Sequence, residues 1–188
     1  EIDGSAWKLR RLAKHLAQGG FSLEATNPFV LWLLCFHLAE KHAWPTSRTA
    51  LLRFHLEETY KRKRKDADDE LTFPPIEEAL SHWAEFAYLI AQRNRGTAIA
   101  ADDLVAGAKL PARVGEMIRL GRRCGVLAES SPQHPHLVRF EHHRLHEYFS
   151  AHYLLSNRPE MDWLSSLDAP RWQETLANLV VMGGGRRS

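Results

Sequence analysis

The 188-residue sequence predicts a mainly α-helical fold with one small β-hairpin. Three observations predict it. Apolar residues recur at i, i+3, i+4 and i+7 over most of the chain, the spacing of one helix face. Start and stop signals bracket those stretches. One short segment, Ser130-Ser131-Pro132-Gln133-His134-Pro135-His136, cannot be helical and lies between two short apolar runs.

Each element follows from its own residues. Ser5 can cap a helix to about Gln18, with Leu9, Leu12, Ala13 and Leu16 on one face. Gly19-Gly20 ends it, since glycine accepts the left-handed cap conformation. Thr26 or Asn27 caps the next helix, and Pro28 suits its first turn, where a missing N–H has no helical partner. Phe29 to Ala39 is apolar almost all round, which predicts a central, fully buried helix with Trp32 and Phe36 in the core. Trp44-Pro45 stops it, and Ser47 starts a third helix carrying Leu51, Leu52, Leu56 and Tyr60. Ile76, Ala79, Leu80, Trp83, Ala87 and Ile90 mark one long helical stripe that Asn94-Arg95-Gly96 ends. A short helix over Ala101 to Ala106 begins with Asp102 and Asp103 in its first turn. Another, Ala112 to Cys124, puts Val114, Met117, Ile118 and Gly121 on one face before Gly125 closes it. Val126 to Glu129 and Leu137 to Glu141 are the two strands of the hairpin, and a helix runs from about His143 to Leu155. Trp163 to Leu167 and Pro170 to Met182 add two helices. Helix, short helix, helix, hairpin is the order of a winged helix.

Composition sets the class. With 44% hydrophobic and 26% charged residues the chain is an ordinary globular one. A formal net charge of +2 excludes a strongly basic nucleic-acid binder on bulk charge alone. The charge is uneven, however. Residues 1–65 hold 12 basic and 6 acidic side chains, and residues 66–188 hold 13 and 17. The change falls within Lys61-Arg62-Lys63-Arg64-Lys65-Asp66-Ala67-Asp68-Asp69-Glu70. The predicted organisation is a helical domain over 1–65, a charged linker over 66–72, a winged-helix-like domain over 73–156 and the start of a further helical region over 157–188. Pro28 to Phe36, the longest apolar run, is far short of the ~18–20 residues that span a bilayer, so no membrane partner is expected. Cys35 and Cys124 make no disulfide framework, which predicts a reducing, cytoplasmic setting. The chain opens on Glu1 and closes on Gly183-Gly184-Gly185-Arg186-Arg187-Ser188, from which a piece of a longer protein is expected.

Candidate site residues are few. Eleven histidines are present, with His142, His143 and His146 inside about one helical turn and His134 and His136 in the adjoining hairpin. His142 and His146 at i, i+4 could give a metal two of the three or four ligands that zinc requires, and no cysteine lies close by in sequence, so no metal site is expected. Arg113, Arg119, Arg122 and Arg123 could give one helix a basic face. Lys61 to Lys65 could meet nucleic-acid phosphates, but the acids that follow screen the run and favour a solvated helix end. Trp32, Phe36, Trp83, Phe86 and Tyr148 read as core aromatics. No Ser/His/Asp or Cys/His signature is present, and Glu147 beside His146 is not a dyad without geometry, so no catalytic residue is expected.

Two stretches carry a family resemblance. Asn27-Pro28-Phe29-Val30-Leu31-Trp32-Leu33-Leu34-Cys35 resembles the "NPLLLTLLC" segment of NACHT-type signalling ATPases. Phe140-Glu141-His142-His143-Arg144-Leu145-His146-Glu147-Tyr148-Phe149-Ser150-Ala151 resembles their "F-x-H-R-x-F-Q-E-Y-F-A-A" motif. Between them, Pro45-Thr46-Ser47-Arg48 resembles a "P-x-S-R" helix start and Gly125-Val126-Leu127 an "SGLL" strand entry. Leu145 stands where the family usually has Phe, His146 where it has Gln, and His143 where it often has Arg. Leu145 is a volume-tolerant core swap, and His146 is expected at the surface. The resemblance covers roughly Leu16 to Leu155. It implies a helical domain, a winged helix and the start of a second helical domain, which in that family follow the P-loop core. No G-x-x-x-x-G-K-[ST] loop occurs in this sequence, so the chain itself is not expected to be an enzyme. The resemblance implies a module that senses ADP or ATP with Mg²⁺ in a core elsewhere in the parent chain, and that controls homo-oligomer assembly, with defence as the family's analogous role. It implies that His142 reaches the phosphates of ADP and that Pro28 packs near the adenine. The alternative function is a DNA-binding winged-helix regulator, with nucleic acid as partner.

Overall fold

The computed structural model describes residues 27–67, 72–93, 98–128, 133–134, 136–157 and 170–184. The helices expected over Ser5–Gln18 and Trp163–Leu167 lie outside these residues, as does most of the 66–72 segment. Among the described residues there are seven α-helices and one two-stranded antiparallel sheet. The chain divides into two compact units, Glu1–His55 and Leu56–Ser188.

The first unit contains α1, Pro28–Lys41, and the beginning of α2, Arg48–Lys65. Asn27 rather than Thr26 caps α1. Its Oδ1 accepts from the N–H groups of Phe29 and Val30 at 3.0 and 3.4 Å, and Pro28 occupies the turn where no N–H is needed. The helix ends before Trp44-Pro45, at His42, whose φ of 52° is left-handed and whose N–H returns to the Leu38 carbonyl at 3.0 Å. Ser47 Oγ accepts from Ala50 N–H at 3.1 Å and starts α2. Val30, Leu33, Leu34 and His37 form the buried face of α1, and Leu51 and Leu52 are buried from α2.

That burial corrects one expectation. Trp32 is 54% exposed and Cys35 is exposed, so α1 is not buried all round. Residues 30, 33, 34 and 37 repeat at i, i+3, i+4 and i+7, and a helix that packs on one side buries one such stripe however apolar the rest is. Trp32 lies outside the stripe, stacked on Phe36 at 5.8 Å between ring centroids, with the His55 ring edge-on at 5.2 Å.

The second unit is built around α3, Ile76–Gln92. After it come β1, Ala98–Ala100; α4, Ala101–Gly107; a single 3-10 turn over Pro111–Arg113; α5, Val114–Arg123; β2, Leu137–Arg139; α6, His143–Asn157; and α7, Pro170–Gly184. Helix α3 packs most extensively on α6, and α6 on α7. Eleven side chains of α3 are buried, including His82 and Glu85 as well as the apolar stripe. Tyr88, Ala91, Leu154 and Trp172 join α3, α6 and α7 in one cluster.

Among the described residues, Trp83 is the largest fully buried side chain. Its indole N–H donates to the Met117 carbonyl of α5 at 3.1 Å, and Phe149 of α6 meets it edge-on at 6.0 Å. Gly121 makes room for this. A Cβ there would lie 2.7 Å from Leu127 Cδ1, closer than packed atoms come, and a tight 3.0 Å from Trp83 Nε1.

The sheet differs from the expected hairpin. Strand β1 pairs antiparallel with β2, Ile99 opposite Val138. The expected strand over Val126–Glu129 is reduced to a bridge between Leu127 and Phe140, held by Ala128 N–H to Arg139 O at 2.9 Å and Glu141 N–H to Val126 O at 3.0 Å. Ala98-Ile99-Ala100 is too short to show a period, and its pairing comes from tertiary context rather than from its own residues. The turn at Gly125 is as expected, with φ of +64°, a left-handed conformation that glycine adopts readily.

Trp83→Ala should cost about 3–5 kcal/mol, as truncation of a buried aromatic does. Trp32→Ala, at an exposed position, should change stability by less than about 1 kcal/mol. Urea denaturation of the two variants checks this. Equal losses would mean that the α1 face is covered.

Candidate functional site

The site with most chemistry is the start of α6. Here β2 and the Leu127–Phe140 bridge deliver the chain to His142, which caps the helix. The His142 carbonyl accepts from Leu145 N–H at 2.9 Å, the first helical bond, and its Nδ1 accepts from Arg144 N–H at 3.2 Å. An Nδ1 that accepts leaves the neutral ring's proton on Nε2. Burial lowers the His142 pKa below the usual histidine value, and His143 and Arg144 lower it further. The His142 ring stacks on His143 at 4.5 Å. His142 is therefore a neutral, half-buried N–H donor at a helix N-terminus, where anions are favoured.

Arg144 and Glu147 organise the next turn. Arg144 Nη1 lies 3.1 Å from Glu147 Oε2 and 2.9 Å from Glu174 Oε2, so one guanidinium ties α6 to itself and to α7. Burial raises the Glu147 carboxyl pKa, and Arg144 opposes that shift. Nothing in the sequence spacing shows that Glu174 would join this pair.

His146 corrects a second expectation. It is not a surface residue. Its Nε2 lies 3.0 Å from the Ala87 carbonyl of α3, its ring is 5.5 Å from Phe140, and burial lowers its pKa below the usual value. The α3 carbonyl faces α6 at that point, and a side chain with a ring N–H reaches it. His142 and His146 thus each commit a ring nitrogen to the backbone. Among the described residues, no group of three or more His, Cys, Asp or Glu side chains is arranged to hold a metal ion.

Most of the remaining motif residues pack. Phe140, Leu145, Tyr148, Phe149, Ser150 and Ala151 are buried. Pro28 is exposed at the first turn of α1. It belongs to the first unit and His142 to the second.

The four arginines near α5 have different surroundings. Arg113 Nη2 pairs with Glu78 at 2.7 Å and its Nη1 with Glu116 at 3.2 Å. Arg119 is exposed, and Arg122 and Arg123 are partly exposed. Arg123 Nη2 donates to the Asp66 carbonyl at 3.0 Å. Cys124 is buried, and burial pushes its thiol pKa up to about 12, so it is an inert thiol.

One further cluster was not visible in the sequence. A cleft of about 230 Å³ opens between α3, Lys109–Leu110 and the end of α6. The buried Glu85 carboxylate accepts from Lys109 N–H at 3.0 Å there, and Lys109 Nζ donates to Asn157 Oδ1 at 2.6 Å. Glu85 falls among the apolar α3 positions, and helical periodicity does not separate it from a surface acid.

Comparison with protein families, curated proteins and solved structures finds no match to this chain. Among the described residues, no helix is long and apolar enough to cross a membrane.

The histidines give a pH dependence of definite sign. His142 and His146 have folded-state pKa values below the usual 6.5, so the unfolded chain takes up their protons first. Their stabilisation is complete above about pH 6.5 and is lost as pH falls through the lowered values. Glu147 acts with the opposite sign, in the carboxylate range. Unfolding free energy should therefore be level from about pH 8 to about 6.5 and drop as pH falls below it, through the lowered histidine values. His146→Gln should flatten that slope. An unchanged slope in this variant would place His146 in solvent.

Proposed function

We propose that the chain is a non-catalytic regulatory module of a NACHT-type signalling ATPase, reading the ADP or ATP state of a P-loop core elsewhere in its parent. The order of elements in the second unit carries the reading. Helix, strand, helix, helix, bridged strand, strand, helix is the order of a winged helix. The motif resemblance supports the same assignment, because its histidine falls where the last strand enters the last helix.

In this reading His142 Nε2–H donates to a phosphate oxygen of ADP when the module is closed. The residue fits that task. The cap bond fixes the neutral tautomer, and Arg144, the nearest cation in sequence, is engaged by Glu147 and Glu174. Pro28, which is exposed, is tied to the adenine by the motif resemblance alone. Release of that contact lets the parent assemble into a homo-oligomer in the cytoplasm, with defence as a role by family analogy alone. Nucleotide hydrolysis and Mg²⁺ binding belong to the core, since this sequence has no phosphate loop.

Two substitutions separate capping from sensing. His142→Ala removes both the cap and the donor. His142→Asp keeps a side-chain acceptor for Arg144 N–H and removes the donor. Both should speed ADP exchange from the intact parent tenfold or more, the loss of about 1.5–3 kcal/mol expected for a hydrogen bond to a charged group. Only His142→Ala should also destabilise the fold, by about 1 kcal/mol. ADP exchange that matches wild type in His142→Asp, in a parent that binds ADP, removes the sensor role.

A further inference from the structure

The chain holds a cluster of cations that neither the core nor the proposed nucleotide contact uses. The last turns of α2 and α5 lie together in the second unit. Arg123 Nη2 of α5 reaches the Asp66 carbonyl just past α2 at 3.0 Å, and the charge of Lys63 is felt at the Cys124 thiol at the end of α5. Residues 61–66 and 119–123 bring eight cations beside one acid, Asp66. Lys61 is paired with Glu58 at 2.8 Å. Lys63, Arg64, Lys65 and Arg119 are exposed and, among the described residues, have no carboxylate within ion-pair distance.

Helix ends do not account for so many. Each C-terminus carries roughly half a negative charge, so the two together call for about one cation. Counting also Asp68, Asp69 and Glu70, which follow in the sequence, the balance stays positive. Clustered like charges repel one another, and a partner of opposite charge relieves this.

We propose that this composite face, the end of α2 with the end of α5, binds the phosphate backbone of duplex nucleic acid without reading its sequence. Arginines dominate it, and their planar forks suit phosphate oxygens. A membrane surface fits less well. Among the described residues, the exposed large apolar ones are Trp32, Val105, Leu110, Val180 and Val181, none of them in these two segments, so no large exposed apolar side chain there would enter a bilayer. Base reading is also not provided for. A recognition helix reads bases from its N-terminal residues. At that end of α5 the Arg113 fork is engaged by Glu78 and Glu116.

The test is fluorescence anisotropy of the 188-residue chain with two labelled duplexes of about 20 base pairs and unrelated sequence, and with phosphatidylserine vesicles as competitor. Both duplexes should bind alike. With about five phosphate contacts, affinity should fall by roughly two to three orders of magnitude between about 50 and 200 mM salt. Lys63→Glu with Lys65→Glu at one end, and Arg119→Glu at the other, should each weaken binding about tenfold while leaving the melting curve unchanged, because these side chains are exposed. Absence of binding at low salt overturns the proposal. So does weakening by the α2 variants alone, which would mean a solitary basic helix end. A strong preference for one duplex, or complete displacement by the vesicles, overturns it as well.

Discussion

The indole of Trp83 is the contact on which the second unit depends. It is buried on α3, donates its N–H to the backbone of α5, and meets Phe149 of α6 and Tyr60 of α2 edge-on. Four helices therefore share one side chain. The arrangement works only because Gly121 has no side chain, so that Leu127 can approach the same spot. Leu127 is also the residue bridged to Phe140, which leads directly into His142 and α6. Packing at Trp83 thus fixes where the last strand ends, and so where the His142 ring stands.

How much of this was legible follows from the range of the interactions. Strong local signals came through. Asn27-Pro28, Ser47, Gly125 and the apolar stripe of α3 each specify their own conformation, and each element lies where the pattern puts it. Trp32 was misread because apolarity shows what can be buried, while burial depends on how many neighbours surround the helix. Strand β1 was missed because its partner, β2, is far off in sequence and three residues carry no period. His146 was misread for a related reason. Its partner is a backbone carbonyl on another helix, and a carbonyl leaves no mark in a sequence. In the candidate site the positions were legible and the partners were not. His142 and Glu147 stand out in the motif, but the tie from Arg144 to Glu174 exists only in the fold.

The motif residues divide by task. Phe149, Leu145 and Ala151 fill the core, and Arg144 with Glu147 fastens α6 to α7. His146 fastens α6 to α3. Such a segment would keep its pattern for architecture alone. Its resemblance to a signalling motif therefore argues for the fold more strongly than for the nucleotide. The claim on function narrows to His142, which is only partly buried.

Capping and phosphate contact do not compete at that ring, because they use opposite nitrogens. Nδ1 must be unprotonated to accept from Arg144 N–H, and this places the neutral ring's proton on Nε2, where a phosphate oxygen could receive it. A nearby phosphate alone would favour the imidazolium, since an anion stabilises the charged form. Burial and the neighbouring His143 and Arg144 favour the neutral form, and so does the cap bond. Protonation on Nδ1 would turn its acceptor into a donor facing another donor, and the first turn of α6 would lose that bond. The proposed contact is therefore that of a neutral donor, weaker than an ion pair but tied to the folding of α6. If the turn opens, the tautomer is no longer fixed and the donor is no longer aimed. A nucleotide that holds His142 in place would by the same linkage hold the start of α6, and through Arg144 and Glu174 it would also hold α7.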